Sequence, residues 1–109
     1  MKVYLLASKV HDHLEDDFES ERIIGIFSNK EKAEEMLEEK LSELKEQRVR
    51  FDSWAIERGY TPGFLEARVG DAIDYRMYAD RTDDKTGLEI VEEDTSYILT
   101  ITEHEIIGS

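Results

Sequence analysis

The chain has 109 residues, 27 acidic against 14 basic, a net charge of −13 at pH 7 and a pI near 4.5. That length supplies one domain and little material for a second core, and an apolar fraction of 39% allows a core that is thin. The charge excludes direct binding to a nucleic-acid backbone or an anionic membrane, both of which need a basic stripe. The absence of cysteine excludes disulfides, thiolate nucleophiles and the usual zinc knuckles. The apolar run at residues 3–7 is too short for a signal-peptide core or a membrane span, so cytoplasmic residence is expected.

Residues 2–10 form a β-type run that starts at the N-terminus and is apolar on both faces through Val3, Tyr4, Leu5, Leu6 and Val10, as an interior strand requires. The segment "HDHLEDDFESE" (residues 11–21) holds two histidines and six carboxylates with no lysine or arginine, has no period, and reads as a loop. "RIIGIFS" (residues 22–28) is a second strand, with Gly25 marking a bulge or a close backbone approach. The two strands and the segment between them describe an antiparallel hairpin with an acidic tip.

A helix follows. Ser28 with Glu31 has the spacing of a capping box, in which hydroxyl and carboxylate each satisfy a free backbone N–H. Ala33, Met36, Leu37, Lys40, Leu41 and Leu44 keep a three-to-four spacing, a mostly apolar stripe that continues through Arg48, Phe51 and Ala55. Glu31 with Glu35, Glu34 with Glu38, and Glu35 with Glu39 repel across one turn, so packing of the stripe has to hold the helix. Gly59 and Pro62 end it by residue 59 or 60. Thirty helical residues would span about 45 Å, so a break near residues 48–52 into two helices is the alternative. Residues 63–71 read as a helical turn or loop. Residues 72–80 alternate as a half-buried strand, residues 81–87 form a turn, residues 88–94 a short strand, and residues 95–107 a closing strand. The expected fold is a single α+β domain over residues 1–109, in order β-β-α-β-β-β, with the helix on one face of a mainly antiparallel sheet.

Chemistry is sparsely marked. His11 and His13, two apart, would share a strand face with Asp12, Glu15, Asp16 and Asp17 nearby, a possible zinc or manganese set without a third ligand at diagnostic spacing. In "TDDKTGLEIVEE" (residues 82–93), Asp84, Thr86, Gly87 and Glu93 match four positions of a calcium loop, but Thr82 stands where aspartate is needed and a β-turn with Gly87 at positive φ explains the same letters. No serine occupies a G-x-S-x-G elbow, and Glu103 and Glu105 share a strand face from which His104 points away. No cofactor and no enzymatic activity are expected. Phe51, Trp54, Tyr60 and Phe64 form an aromatic patch that suits core packing or an interface anchor.

The acid excess is concentrated. Residues 30–58 carry nine acids and seven bases, whereas residues 11–21 carry a net of −6 and residues 80–94 a net of −5. If both clusters emerge at one edge they make a continuous anionic surface. The candidate partner-binding residues are therefore Asp12, Glu15, Asp16, Asp17, Glu19, Asp83, Asp84, Glu92, Glu93 and Asp94, facing the Lys/Arg groove of a nucleic-acid-binding protein. The alternatives are a metal-binding protein using His11 and His13, or an assembly protein dimerising through Leu37, Leu41 and Leu44.

"MKVYLL" followed by "IIGIFSNKEKAEEML" resembles the start of many small uncharacterised proteins of bacteria and their phages, in which a second strand ending in "GIFS" leads into a "KEKAE" helix. The resemblance covers about residues 1–40 and implies a β-β-α unit, with no catalytic residues to carry over. A phage setting implies an anti-defence protein of anti-CRISPR or anti-restriction type, a group with many small acidic members that occupy a nucleic-acid groove.

Overall fold

A computed structural model describes residues 1–15 and 19–107, with Glu19 described by its backbone alone. Five strands and one helix follow in the order β1 (Lys2–Asp12), β2 (Glu19–Phe27), α1 (Lys30–Glu57), β3 (Thr61–Val69), β4 (Ala72–Thr82) and β5 (Glu89–Glu105). The strands form one antiparallel sheet ordered β2-β1-β5-β4-β3, so the first and last strands of the chain are neighbours. The α+β class and the element order match the expectation from sequence.

Three elements differ from it. β3 falls where a turn or loop was expected: Pro62 and Gly63 mask the pattern, yet both suit an edge strand, where a missing N–H costs no ladder bond. A Cβ on Gly63 would come within 2.5 Å of the Tyr78 ring directly opposite, so glycine is what lets that ring lie across the edge. β5 is one 17-residue strand where two were expected. Its charged middle looked like a break, but Asp94 and Glu92 are paired by Arg76 and Arg81 of β4, and a register shift beside Ala79 absorbs the irregularity. The hairpin ladder also runs further into the acidic segment than expected, to His11 opposite Glu19.

The helix is continuous over 28 residues and does not break near residue 48. Arg48 falls on the apolar stripe, and there its Nη1 donates to the Tyr75 hydroxyl at 2.8 Å while its guanidinium lies 3.8 Å above the Phe64 ring. A charged residue on the packed face is thus accommodated without a kink. The N-cap is Asn29, one residue after the expected Ser28, with its Oδ1 accepting from the Glu31 N–H at 2.8 Å. Gly59, at φ 77°, ends the helix.

Ala33, Leu37 and Leu41 press onto Leu6, Ile73, Tyr75, Met77, Leu99 and Ile101, with Leu44 and Phe51 packed at the margin. The leucines considered for a helix-mediated dimer are therefore used inside the chain: Leu37 and Leu41 are buried against the sheet, which removes them from any intermolecular seam. Polar ties join the layers at both ends, with Lys30 to Asp71 at 3.2 Å, Arg68 to Glu38 at 2.9 Å and Gln47 to the Tyr97 hydroxyl at 3.1 Å. The hydrogen bond from Arg68 holds the Glu38 carboxyl below its ordinary range. Its stabilisation is therefore present above the ordinary carboxylate pKa and lost as pH falls through the lowered one, and exposure keeps it small.

The other face has no helix over it and carries Leu5, Ala7, Ile23, Ile26, Leu65 and Ile98. Among the described residues no helix is long and apolar enough to cross a membrane.

The molecule measures 67 × 26 × 19 Å with a radius of gyration of 17.4 Å, against about 13 Å for a compact chain of this length. β5 accounts for the elongation, since 17 residues at about 3.3 Å each span roughly 56 Å. Leu41→Ala should cost about 2–5 kcal/mol, the range for removing a fully buried leucine. Tyr75→Phe should cost about 1–3 kcal/mol by leaving Arg48 without its acceptor. Urea unfolding of both variants checks the two values.

Candidate partner-binding surface

In an antiparallel sheet the direction of each strand decides where its loops emerge. The β1–β2 turn and the β4–β5 turn both leave at the end of the sheet where β5 begins. The two acidic segments therefore occupy the same end of the molecule. They do not sit level. The His13 N–H donates to the Asp94 carbonyl at 2.8 Å, which places the end of β1 beside the middle of the hairpin. Beyond Asp12 opposite Thr95, β5 pairs only with β4, which β3 still flanks as far as Thr61 opposite Asp80; past that point β4 and β5 continue as a two-stranded ribbon whose turn lies at residues 83–88. The five residue steps from Asp94 to Glu89 carry this extension about 17 Å past the end of β1.

The ten expected carboxylates fall into distinct environments. Asp94 is 9% exposed and accepts two hydrogen bonds from Arg76, at 2.6 and 2.5 Å. Hydrogen bonding to Asp94 raises the Arg76 pKa further, so the guanidinium stays charged. Glu92 is bonded to Arg81, whose pKa is raised by the same kind of contact. Both carboxylates are neutralised within the ribbon. Asp12 and Asp83 are half committed, since the Oδ1 of each accepts a backbone N–H two residues on, from Leu14 at 2.9 Å and from Lys85 at 2.8 Å, the local turn contact typical of aspartate. Glu93 stands on the helix side of the sheet, beside Gln47, Trp54 and Met77. Glu15 and Asp84 are exposed. Glu19 stands opposite His11 in the ladder, and Asp16 and Asp17 lie outside the described residues.

The turn at residues 83–88 also bears on the calcium-loop pattern. The Asp83 N–H donates to the Leu88 carbonyl at 2.9 Å and the Gly87 N–H to the Asp83 carbonyl at 2.8 Å, with Gly87 at φ 70°. Glu93 lies in the β5 ladder opposite Ala79, and Thr86, Gly87 and Asp84 form a tight hairpin turn. On the open face His11 and His13 do meet, with ring centroids 4.6 Å apart, edge to face. The His13 Nε2 is 2.7 Å from the Ser96 Oγ, and Ser96 is 2% exposed. Among the described residues no group of three or more His, Cys, Asp or Glu side chains could hold a metal.

The aromatic patch divides in two. Phe51, Trp54 and Tyr60 form a chain of ring contacts at 5.8 and 5.7 Å, capped by Arg58 over Trp54, while Phe64 stacks on Tyr75 instead. Two features were missed from sequence. The Arg76–Asp94 pair left only the weak signal of Arg76 between buried Tyr75 and Met77, because β4 also carries Asp74, Asp80 and Arg81. The cluster of Ser96 with His13 left no local signal, because its partners are 83 residues apart.

Asp94→Ala should destabilise the domain by about 1–3 kcal/mol, because Arg76 is left partly buried without its acceptors. Asp84→Ala should lie within about 0.5 kcal/mol of the parent, as an exposed turn position. The difference between the two in urea unfolding separates the structural carboxylates from the presented ones.

No curated protein and no solved structure matches the chain. A family model does, over residues 1–61, the span of β1, β2 and α1, which leaves the β4–β5 ribbon and its acids outside the matched span. With more than half its length matched, the chain belongs to the family described as domain of unknown function DUF7336.

Proposed function

We propose that this protein is a non-enzymatic acidic binding protein that inhibits a nucleic-acid-handling partner by placing carboxylates where the partner receives phosphates. The observation that carries the proposal is the emergence of both acidic segments at one end of a narrow molecule, one on the sheet body and one on a projecting ribbon. This extension, flanked by β3 only as far as Asp80 and two strands wide at its tip, can enter a groove that a globular domain cannot, as β-ribbons do in the major groove of DNA. Here the ribbon is acidic, so the groove it fits is a cationic one on a protein.

Electrostatics give such a contact a fast encounter and a strong dependence on salt. The internal pairs Arg76–Asp94 and Arg81–Glu92 hold the ribbon in shape, and the exposed Glu15 and Asp84 supply the presented charge. An inhibitor of anti-CRISPR or anti-restriction type is the specific form of this proposal, with no cofactor involved.

Capture from a bacterial lysate tests it. The parent protein should retain a basic nucleic-acid-binding protein in about 0.1 M salt and release it in about 1 M, where the Debye length falls from about 10 Å to about 3 Å. The variant Glu15→Lys, Asp16→Lys, Asp17→Lys, Asp84→Lys should retain none while melting at the same temperature as the parent. Capture unaffected by both salt and charge reversal would refute the reading.

A further inference from the structure

Going up the molecule, α1 leans toward the β3 edge, where Glu38 meets Arg68 and Arg48 covers Phe64. The helix-facing side of β2 is left uncovered beside residues 40–47, and a cleft of about 340 Å³ opens there between α1 and the β1–β2 hairpin. That volume lies in the range of small-ligand pockets, about 300–1,000 Å³. Its apolar wall is Val10, Ile24, Leu44 and Leu99, and its polar groups are Ser8, Ser20, Arg22 and Lys40.

The charge of this cleft runs against that of the chain. In a protein with a net charge of −13, three basic residues, Lys9, Arg22 and Lys40, line the cleft against one carboxylate, Glu43, which is bridged to Lys40 at 3.3 Å. Arg22 is exposed and makes no ion pair among the described residues. It stands directly opposite Ser8 in the β1–β2 ladder, and Ser20 opposite Val10, so guanidinium and hydroxyls sit side by side at the rim while the apolar wall lies inward. A cationic fork with donor hydroxyls above an apolar wall is complementary to one kind of molecule: an anion with a planar head and an apolar body.

We propose that the cleft binds a small organic carboxylate, its head on Arg22 and Lys40 and its alkyl or aryl body against Ile24, Leu44 and Leu99. Arg22 supplies paired, pre-formed donors, and Lys40, shared with Glu43, a further N–H donor. The site lies on the side of the sheet away from the open face, draws its polar groups from the β-β-α unit that the family model covers and Leu99 of its apolar wall from β5, and is independent of the acidic ribbon.

Titration of the full chain with octanoate, followed by amide and side-chain NMR shifts, tests the proposal. Octanoate should shift Ser8, Ser20, Arg22, Leu44 and Gln47 in a saturable manner, and neutral octanamide should bind at least tenfold more weakly. Arg22→Gln should weaken octanoate at least tenfold with an unchanged melting temperature, Arg22→Lys should recover part of the loss, and Arg50→Gln, exposed elsewhere on the helix, should bind as the parent does. Ser20→Phe, which fills the cleft from an exposed strand position, should also abolish binding. Equal binding of octanoate and octanamide, unaltered affinity in Arg22→Gln, or no saturable shift at millimolar octanoate would overturn it.

Discussion

The pairing of β5 with β1 on one side and β4 on the other is the constraint from which the rest of the molecule follows. It brings the two ends of the chain together, Lys2 opposite Glu105 and Met1 carbonyl to Ile106 N–H at 2.8 Å, and closes a sheet whose hairpins would each be marginal alone. Because β5 is 17 residues long and β1 covers only its later part, the pairing also leaves an overhang. The overhang is the acidic ribbon. Its length, its direction and its position beside the β1–β2 tip are consequences of register, not of any local preference of the acidic residues.

Charge is handled differently in the two halves of that design. Where the ribbon joins the sheet, carboxylates are matched by Arg76 and Arg81 and rigidify it; further out Glu15 and Asp84 are exposed, while Asp12 and Asp83 accept N–H groups of their own turns. A cluster of like charges costs folding energy through self-repulsion and gains long-range attraction for a cationic surface. Pairing near the body limits the first effect while retaining the second at the tips. The cleft beside Arg22 is the opposite case, a small positive site walled by apolar side chains in an anionic protein.

Much of the architecture was legible in the residues. The helix was read from Ala33, Leu37, Leu41 and Leu44, whose spacing reports a single buried face, β1 from an apolar run, and β4 from the alternation of a half-buried strand. The misread elements share a cause. β3 buries little, so its pattern carries no strong period, and Pro62 and Gly63 look like a turn when read without knowledge of an edge. The middle of β5 looked like a break because Glu92 and Asp94 are compensated by arginines on another strand. The candidate carboxylates were located as segments, but which are presented and which are spent internally depends on pairing across β4 and β5. No reading of one strand at a time supplies that. Nor does it supply the cleft, whose walls come from four separate elements.

The central claim is that the acidic end takes the place of a nucleic acid on its partner. Competition measures this directly: a fluorescently labelled duplex is bound to the captured partner, and the protein is titrated in at fixed low salt. The account predicts complete displacement of the duplex, with a midpoint that moves to higher protein concentration as more duplex is present. A ternary complex that holds both the duplex and this protein would contradict it.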